Sequence, residues 1–504
     1  MSLLLATAAL AALDDPCAAM GRAKVADVRI VSATAVGGDA GFTPPDKRAL
    51  PVTVDFCRIE GVIEKEIGFE LWLPIAKDWN GHFLAGGVGG QAGQYNYREL
   101  SRGVRRGYAS ASTDTGHKAS DRHWLLGDPM RAANYAGRSN HLLAVKAKAL
   151  VRHFYGTPAR RALFVGCSGG GRQALTEAQR YPTDYDGIIA GAPGARTPEM
   201  SARRMWEMVQ HSASRPWMTA AQWALIAKAG VEACDGADGV KDGVVENPAT
   251  CRFRPADLLC RAGQAEACLT PQQAALATRI YGPLIDETGR RVDDGLLPGV
   301  PVSPTPLPEP FTPGPPYLAV ALFGDGVHRD PNWNPATFRV GRDLAAIDKV
   351  MDLHADNPDL TRFRDHGGKL LMYQGWIDPL VEARTTIDYL RAVEAKMGGP
   401  ERTAQFVRLY MAPGVDHCVG GPGADQLGGA GGDGIALDPE HDMLSALEAW
   451  LDSGEGPGTL IAAKRDGTAI TRTRPLCPYP LEARYDGTGD ADVARSYRCA
   501  KPAG

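Results

Sequence analysis

One stretch, residues 163–175, constrains the fold of this chain more than any other; it reads Leu-Phe-Val-Gly-Cys-Ser-Gly-Gly-Gly-Arg-Gln-Ala-Leu. The apolar run 163–165 is long enough only for a buried strand, and the residues from 170 onward suit a helix that ends before Pro182. Between them, residues 166–170 fit the pattern G-x-S-x-G, whose glycines allow a strained turn that exposes the serine hydroxyl. The sequence therefore predicts a strand, a tight turn and a helix, with Ser168 as a candidate nucleophile. A glycine-rich turn whose serine bonds its own backbone is the alternative.

The order of the predicted elements separates a core from an insertion. Strands are predicted at 26–35, 50–56, 67–73 and 82–85, and strands and helices then alternate as far as residue 190. The alternation is lost between about 197 and 353, where helices precede a proline-rich segment, and it resumes from 369 to 451. A chain of 504 residues that is 44% hydrophobic forms two domains or one with an insertion. We therefore predict the α/β class: an α/β-hydrolase core at 13–196 and 354–504, with a large inserted cap (lid) domain at 197–353.

Charge and hydropathy exclude two classes of partner. The formal net charge is −4 and no cluster of Lys or Arg is present, which argues against nucleic acid as a partner. Residues 1–12 resemble a signal-peptide remnant, and no later apolar run is long enough to span a bilayer, so no membrane partner is expected. Ten cysteines without a C-x-x-C pair fit disulfides better than a zinc site, with free buried cysteines as the alternative, and together with the apolar leader they predict a secreted or periplasmic protein. The sequence carries no signal for the oligomeric state.

The glycine-rich loop at 86–93 supports two functions from different classes. Gly87, Gly89 and Ala92 satisfy the dinucleotide fingerprint, and Asp114 lies where a ribose-binding acid is expected, so a nucleotide-binding oxidoreductase is one alternative. The other is an oxyanion hole, because α/β hydrolases take one amide donor from a glycine loop after an early strand. The second interpretation agrees with Ser168, and the sequence after the glycines is a poor helix start.

A serine nucleophile needs a base and an orienting acid, which in α/β hydrolases follow it in chain order. Asp378 follows the predicted strand 370–374, and His417 lies in a glycine-bounded loop after a strand ending near 411. Asp416 is adjacent to His417, so its side chain is expected to point away from the imidazole. His117 follows an early strand and suits a structural hydrogen bond. We predict the triad Ser168, Asp378 and His417.

The predicted chemistry is ester hydrolysis through an acyl-enzyme. The oxyanion is expected to be held by the amides of Gly169 and Gly90, and no organic cofactor is required. A catalytically inactive binding module on the same fold is a third possibility.

Several motifs together resemble the tannase and feruloyl esterase family, which also includes mono(2-hydroxyethyl) terephthalate hydrolase. They are residues 78–81 (Asp-Trp-Asn-Gly), the glycine loop, 112–117 (Ser-Thr-Asp-Thr-Gly-His), 167–173 (Cys-Ser-Gly-Gly-Gly-Arg-Gln) and His417-Cys418. The resemblance extends over nearly the whole chain. It implies five disulfides: Cys167 to Cys418, Cys17 to Cys57, Cys234 to Cys251, Cys260 to Cys268, and Cys477 to Cys499.

Residues 235–244 form an acidic, glycine-containing loop of the kind that a hard cation requires. The resemblance implies a structural calcium (Ca²⁺) site built from Asp235, Asp238, Asp242 and the carbonyls of Val240 and Val244. The acids do not have EF-hand spacing, and a solvated acidic turn is the alternative.

The resemblance also implies a small aromatic ester as substrate, an ester of a hydroxycinnamic or hydroxybenzoic acid. Trp333 and its surroundings in the lid are expected to shape the pocket for the acid. Terephthalate hydrolase activity is the alternative substrate class, which is disfavoured because that enzyme carries glutamate directly after its serine where this chain has Gly169.

Overall fold

A computed structural model describes residues 15–47, 50–264, 266–302, 304, 307 and 318–502. The predicted leader, residues 1–12, lies outside this part of the chain. Within it, the core is a nine-stranded sheet of order β1-β2-β3-β5-β4-β6-β7-β8-β9. The strands are β1 (Val28–Val36), β2 (Phe56–Ile63), β3 (Ile67–Pro74), β4 (His82–Gly86), β5 (Ala109–Thr113), β6 (Arg161–Cys167), β7 (Gly187–Gly191), β8 (Lys369–Gly375) and β9 (Val407–Ala412).

The sheet is antiparallel at one edge and parallel elsewhere. β1, β2, β3 and β5 pair antiparallel in that order, whereas the pairs from β5 through β4, β6, β7 and β8 to β9 are parallel. Strands β6 and β7 are almost continuously apolar because helices cover both faces of a parallel sheet. The order and the helical crossovers are those of an α/β hydrolase, which confirms the predicted fold class.

Helices cover the sheet and build the insertion. In the described residues they are α1 (Pro16–Met20), α2 (Tyr97–Arg105), α3 (Pro129–Ala133), α4 (Ser139–Tyr155), α5 (Gly169–Arg180), α6 (Thr197–Ala213), α7 (Ala220–Cys234), α8 (Pro271–Tyr281), α9 (Leu318–Val320), α10 (Val340–Ile347), α11 (Thr361–Asp365), α12 (Ala383–Met397), α13 (Pro400–Thr403) and α14 (Met443–Ser453). Helix α5 begins directly after Ser168, and α12 follows Asp378. Shorter π-helical turns lie at Asn134–Arg138 and Ala321–His328, and 3₁₀ turns at Pro248–Thr250, Pro255–Leu258, Pro335–Thr337 and Ala494–Ser496.

The lid leaves and rejoins the core at neighbouring points. Arg196, just before α6, forms a β-bridge with His354, and the amide of Ala355 donates to the carbonyl of Ala195 at 2.8 Å. Strands β7 and β8 are therefore neighbours in the sheet although the whole insertion lies between them in sequence. The lid packs Phe323, Leu344 and other apolar side chains into a buried cluster that also contains Tyr135 of the core.

A tail of two small hairpins completes the chain: β10 (Leu460–Asp466) with β11 (Ala469–Leu476), and β12 (Glu482–Tyr485) with β13 (Tyr497–Ala500). All ten cysteines lie in the described residues and form the five pairs that the resemblance implies. Among the described helices, none combines the length and the apolar character needed to cross a bilayer.

Candidate active site

Ser168 occupies the sharp turn between β6 and α5. Its φ of 62° and ψ of −122° lie in a strained region for a residue with a side chain, as the G-x-S-x-G pattern predicts. Gly166 must be glycine, because a Cβ there would lie 2.4 Å from the carbonyl oxygen of Gly170. The turn is anchored by the Ser168 amide, which donates to Gly191 O of β7 at 2.9 Å. The serine is thus presented above the carboxyl ends of the central strands.

Asp378 and His417 meet at the end of β8 and β9. The imidazole Nδ1 lies 2.8 Å from Asp378 Oδ2, and this carboxylate is fully buried. The other oxygen, Oδ1, accepts from the amides of Leu380 at 2.8 Å and Val381 at 3.0 Å. A carboxylate in this position keeps the proton of His417 on Nδ1 and leaves Nε2 free to act as a base.

Asp416 does not compete for the imidazole ring. Its Oδ1 accepts from the backbone amide of His417 at 2.7 Å, and burial raises the pKa of this carboxyl. The side chain is therefore turned back along its own loop, as its adjacency to His417 predicts.

A disulfide brings the serine and the histidine together. Cys167 precedes Ser168, Cys418 follows His417, and their Cα atoms are 6.0 Å apart in the bonded pair. Ser168 Oγ makes no hydrogen bond with the imidazole of His417 in the described part of the chain. This contact is often long in free hydrolases and shortens when substrate binds.

The glycine loop lies against the turn that carries Ser168. A Cβ on Gly169 would lie 3.1 Å from Gly90 N, and one on Gly89 would lie 3.8 Å from the Cβ of Ser168. Gly90 has a φ of 59°, which glycine adopts without strain. The structure therefore brings the backbones of Gly90 and Gly169, the predicted oxyanion donors, together beside Ser168.

The same region argues against the dinucleotide alternative. The glycines lead into a loop, and helix α2 begins only at Tyr97. Asp114 is fully buried and is already bonded to the amides of Gly68 and Gly116 and to Lys118 Nζ. Its carboxylate is therefore not available to a ribose, and the glycines do not open a helix of their own as the dinucleotide fingerprint requires.

A cavity of about 560 Å³ opens at Ser168 and Gly169 and extends beneath the lid. Its wall is mainly apolar, with Met200, Met208 and Leu318 among the side chains that line it. Arg204 and Glu207 of α6 are the charged residues on this wall in the described chain, and their side chains are paired at 2.9 Å. The volume falls in the range typical of small-molecule sites.

Trp333 is not on this cavity, which corrects the prediction for it. The indole is only 6% exposed and stacks on His328, with ring centroids 4.9 Å apart, beside Phe338. A large aromatic ring in the lid stabilises the lid's own core by this burial. The cavity wall is instead built mainly by helix α6 and by residues 301–302 and 318–319.

The predicted calcium ligands lie in the loop after α7, where an arginine already contacts two of them. The guanidinium of Arg474 is buried and lies 2.5 Å from Asp238 Oδ2 and 2.7 Å from Asp242 Oδ2. Asp235 accepts from the amides of Asp242 and Gly243. The donor types fit a calcium ion, and in the described residues no three acidic, His or Cys side chains already converge as metal ligands. Calcium binding stays a prediction.

Sequence reasoning missed the side chains that support the site. Gln374 Nε2 donates to Asp378 Oδ2 at 3.2 Å, and Gln173 holds the glycine loop through Val88. Arg172 and Gln173 belong to the motif 167–173, and their place in that motif could have indicated that they support the site. Tyr135, whose hydroxyl donates to Gly90 O at 2.7 Å, had no such signal.

Comparison with known proteins agrees with this geometry. The profile of a family described as "Tannase and feruloyl esterase" matches residues 52–298 and 320–500. An uncharacterized esterase of Xanthomonas campestris pv. campestris is 36% identical over 98% of this chain and 92% of its own, and a probable feruloyl esterase of Arthroderma benhamiae is 34% identical over 92% and 88%. The crystal structure of feruloyl esterase B from Aspergillus oryzae superposes with a TM-score of 0.88 at 26% identity, covering 96% of this chain and 99% of that one.

Proposed function

The chain belongs to the tannase and feruloyl esterase family of carboxylic ester hydrolases, and from this we propose that it is a serine esterase acting on esters of aromatic acids. The observation that carries the proposal is the bond between His417 and Asp378 beside Ser168, at the mouth of a mainly apolar cavity. Family membership alone establishes that the chain is an ester hydrolase. The geometry around Ser168 supports the serine mechanism.

The reaction begins with proton transfer from Ser168 Oγ to His417 Nε2, while Oγ attacks the carbonyl carbon of the ester. The bond between that carbon and the alkoxy oxygen then breaks, and the imidazolium gives its proton to the departing alcohol. Water loses a proton to His417 and attacks the acyl-enzyme, which releases the acid and returns the proton to Ser168. Asp378 holds the imidazole in place and stabilises its charged form.

The negative charge on the carbonyl oxygen needs donors that are already in position. The amides of Gly90 and Gly169 lie close together beside Ser168, and neither glycine carries a side chain that would block the approach of the oxygen. Donors that are fixed in advance need not reorient as the negative charge develops, and they therefore stabilise the transition state more than the substrate.

The cavity supports an aromatic acid that carries polar ring substituents. Its apolar wall suits a flat ring, and the paired Arg204 and Glu207 offer a donor and an acceptor to phenolic hydroxyls. Nη2 of Arg204 also lies 3.5 Å from Glu382 Oε1, so two carboxylates hold this guanidinium in place on the wall. We therefore place hydroxycinnamic and hydroxybenzoic esters ahead of terephthalate monoesters.

We also propose that the protein works in an oxidising compartment, outside the cell or in the periplasm. The support is that every cysteine is paired in a disulfide, which is rare in proteins of the reducing cytosol.

The test is hydrolysis of methyl ferulate, methyl gallate, chlorogenate and mono(2-hydroxyethyl) terephthalate by the purified enzyme and by Ser168→Ala. We expect turnover of at least one phenolic ester by the wild type and none by the variant. Equal activity of both proteins would contradict the serine mechanism. Turnover of the terephthalate ester alone would overturn the proposed substrate class, and tight binding of NAD without esterase activity would favour the oxidoreductase.

A further inference from the structure

The peptide groups on both sides of Gly90 are each held by a hydrogen bond. The amide of Ala92 donates to Gly89 O at 3.1 Å, which fixes the peptide plane containing the Gly90 N–H. On the other side, the hydroxyl of Tyr135 donates to Gly90 O at 2.7 Å. A Cβ on Gly90 would meet no described atom within 4 Å, so packing does not restrain the loop on that side. Glycine backbones rotate easily, and these hydrogen bonds supply the restraint.

Tyr135 is itself held by the helix that follows the nucleophile. Arg172 of α5 donates from Nη2 to Tyr135 O at 2.9 Å and from Nη1 to Ala136 O at 3.2 Å. The centre of its guanidinium also lies 4.9 Å from the centroid of the Tyr135 ring, within cation–π distance. Arg172 therefore fixes both the backbone and the ring of Tyr135.

A second set of contacts also packs against Tyr135. Trp124 lies with its ring centroid 4.9 Å from that of Tyr135 and stacks on His117 at 4.1 Å. His117 Nε2 in turn donates to Gln91 O at 2.8 Å, and Trp124 Nε1 donates to the side chain of Gln91. The residue after Gly90 is therefore held by the same aromatic group that packs on Tyr135.

The arginine in this arrangement is costly to bury. Arg172 is 1% exposed, and in the described residues no carboxylate lies within ion-pair distance of it. Burial lowers its pKa and raises that of Tyr135, so the phenol stays protonated as a donor. A buried cation held only by carbonyls and a ring stabilises a fold less than an apolar side chain of the same size would. Arg172 lies between the turn that carries Ser168 and the glycine loop, where it can hold these two segments together.

We propose that Tyr135 is a positioning residue for the oxyanion hole, and that Arg172 and Tyr135 together keep the Gly90 amide in register with the Gly169 amide. The inference rests on the proposed serine esterase function. The path runs from α5, which begins with Gly169, through Arg172 to Tyr135 and on to Gly90. Both oxyanion donors are thereby held by one helix, α5, so that movement of the lid does not separate them.

The decisive variant is Tyr135→Phe, which keeps the ring and its packing and removes only the hydroxyl. Tyr135 lines the cavity, and its ring keeps this place in the variant. We expect kcat to fall about tenfold with KM within twofold of the wild type, because a misplaced donor weakens transition-state binding. The inhibition constant of trifluoroacetophenone, whose adduct with Ser168 places an oxyanion between the two amides, should rise by the same factor.

Tyr155→Phe is the matched control. The Tyr155 hydroxyl also donates to a backbone carbonyl, that of Pro74, at 2.7 Å, and its ring also stacks on a tryptophan, Trp79. It lies at the end of α4 and does not line the cavity. We expect this variant to lose a similar amount of thermal stability as Tyr135→Phe and to keep the wild-type kcat and inhibition constant.

The second variant, Arg172→Lys, keeps the charge and loses the two-pronged contact. If the residues act in series, the double variant with Tyr135→Phe should lose no more kcat than Arg172→Lys alone. If Tyr135→Phe keeps the wild-type kcat and inhibition constant, the inference is overturned. The proposed function still stands in that case, provided that Ser168→Ala is inactive. A rise in KM with unchanged kcat would overturn it too, by showing that the hydroxyl acts on substrate binding. Absence of esterase activity in the wild type would overturn both.

Discussion

Gln173 bonds both backbone groups of Val88: its Oε1 accepts from the Val88 amide at 3.0 Å, and its Nε2 donates to the Val88 carbonyl at 3.1 Å. Both residues are buried, so the backbone groups of Val88 need partners within the protein. The Gln173 side chain supplies the two hydrogen bonds that a neighbouring strand would make if β4 continued into the glycine loop. Like Arg172, Gln173 lies on the helix that begins after the nucleophile. The nucleophile turn and the oxyanion loop are thus joined at two neighbouring points of one helix.

Gln173→Leu should therefore reduce both stability and turnover. Two buried backbone groups lose their partners, which costs on the order of 2 kcal/mol in the free energy of unfolding. The loop also loses its register against Ser168, so we expect kcat to fall at least tenfold. Urea denaturation and steady-state kinetics measure the two effects.

Gln179→Leu, on the same helix, is the control for this variant. Gln179 is half-buried, and its Nε2 donates to Ala355 O at 2.7 Å and to the Tyr389 hydroxyl at 2.9 Å, away from the cavity. We expect it to cost stability without changing kcat. If both variants lose kcat equally, the effect of Gln173 is general destabilisation.

Asp378→Asn should lower kcat by about 10⁴-fold without unfolding the protein, as loss of the orienting carboxylate does in serine hydrolases. The amides of Leu380 and Val381 both donate to Oδ1, so the asparagine oxygen must stay at that position. Its NH₂ group then faces His417 Nδ1, which forces the proton onto Nε2 and removes the base.

Asp416→Asn is the comparison, because its oxygen can still accept from the His417 amide. We expect its kcat to stay within a few fold of the wild type on a phenolic ester. A larger loss in Asp416→Asn than in Asp378→Asn would reassign the orienting acid.

The sequence predicted the elements whose local signals are strong. The turn at Ser168 follows from its glycines, and the α/β alternation resumes at β8, which begins at the predicted residue, Lys369. The strand predicted at 50–56 was wrong: β2 runs from Phe56 to Ile63, and Val52 makes only an isolated bridge with Phe42. The proline at 51 lacks the amide that a paired strand needs there.

Residues that act through tertiary contacts could not be predicted. Tyr135 lies far from Gly90 in sequence, and only folding brings its hydroxyl to that carbonyl. Trp333 was expected to shape the cavity because it lies in the lid, whereas its neighbours in space, His328 and Phe338, place it in the core of the lid. Contacts of this kind depend on how segments pack inside the core, for Tyr135, and inside the lid, for Trp333, which no local pattern encodes.

His117 should make stability depend on pH below neutrality. Burial lowers the pKa of its imidazole to about 4, the nearby Arg131 adds to the shift, and Asp121 opposes it. The pKa in the unfolded chain is about 6.5, so between about pH 4 and 6.5 the unfolded state binds more protons. The free energy of unfolding therefore falls as the pH decreases through this window, by at most about 1.4 kcal/mol per pH unit from this residue.

His117→Gln should flatten that slope, since its amide can still donate to Gln91 O. Urea denaturation at pH 4.5, 5.5, 6.5 and 7.5 compares it with the wild type and with His153→Gln, which changes an exposed histidine at the end of α4. A slope that survives in His117→Gln, or that disappears equally in His153→Gln, would show that another group titrates.

Calcium binding is tested by thermal unfolding with and without a chelator. An ion bound only by the folded chain stabilises it by mass action, so removal should lower Tm and added calcium should restore it. Because Arg474 takes one oxygen each from Asp238 and Asp242, an ion has to use their other oxygens together with Asp235. Burial beside this cluster also raises the pKa of Glu246 to about 7.

Magnesium at the same concentration serves as the control, since it favours smaller, octahedral sites. If Tm is equal before and after metal removal confirmed by elemental analysis, the loop is held by Arg474 alone and the prediction fails.

The disulfide between Cys167 and Cys418 joins the two loops that carry Ser168 and His417. It closes a long segment that includes the whole lid, and a bridge of this span stabilises a fold by on the order of 3 to 5 kcal/mol if unstrained. Stability alone could come from a bridge anywhere, but a displacement of about 1 Å between serine and base can cost about a hundredfold in rate.

We therefore expect the Cys167→Ala/Cys418→Ala variant to lose turnover well below its Tm, with its circular dichroism unchanged. The Cys477→Ala/Cys499→Ala variant, which opens a bridge in the C-terminal tail, should lose stability and keep kcat. Full turnover in the first variant would show that the active-site bridge serves stability only.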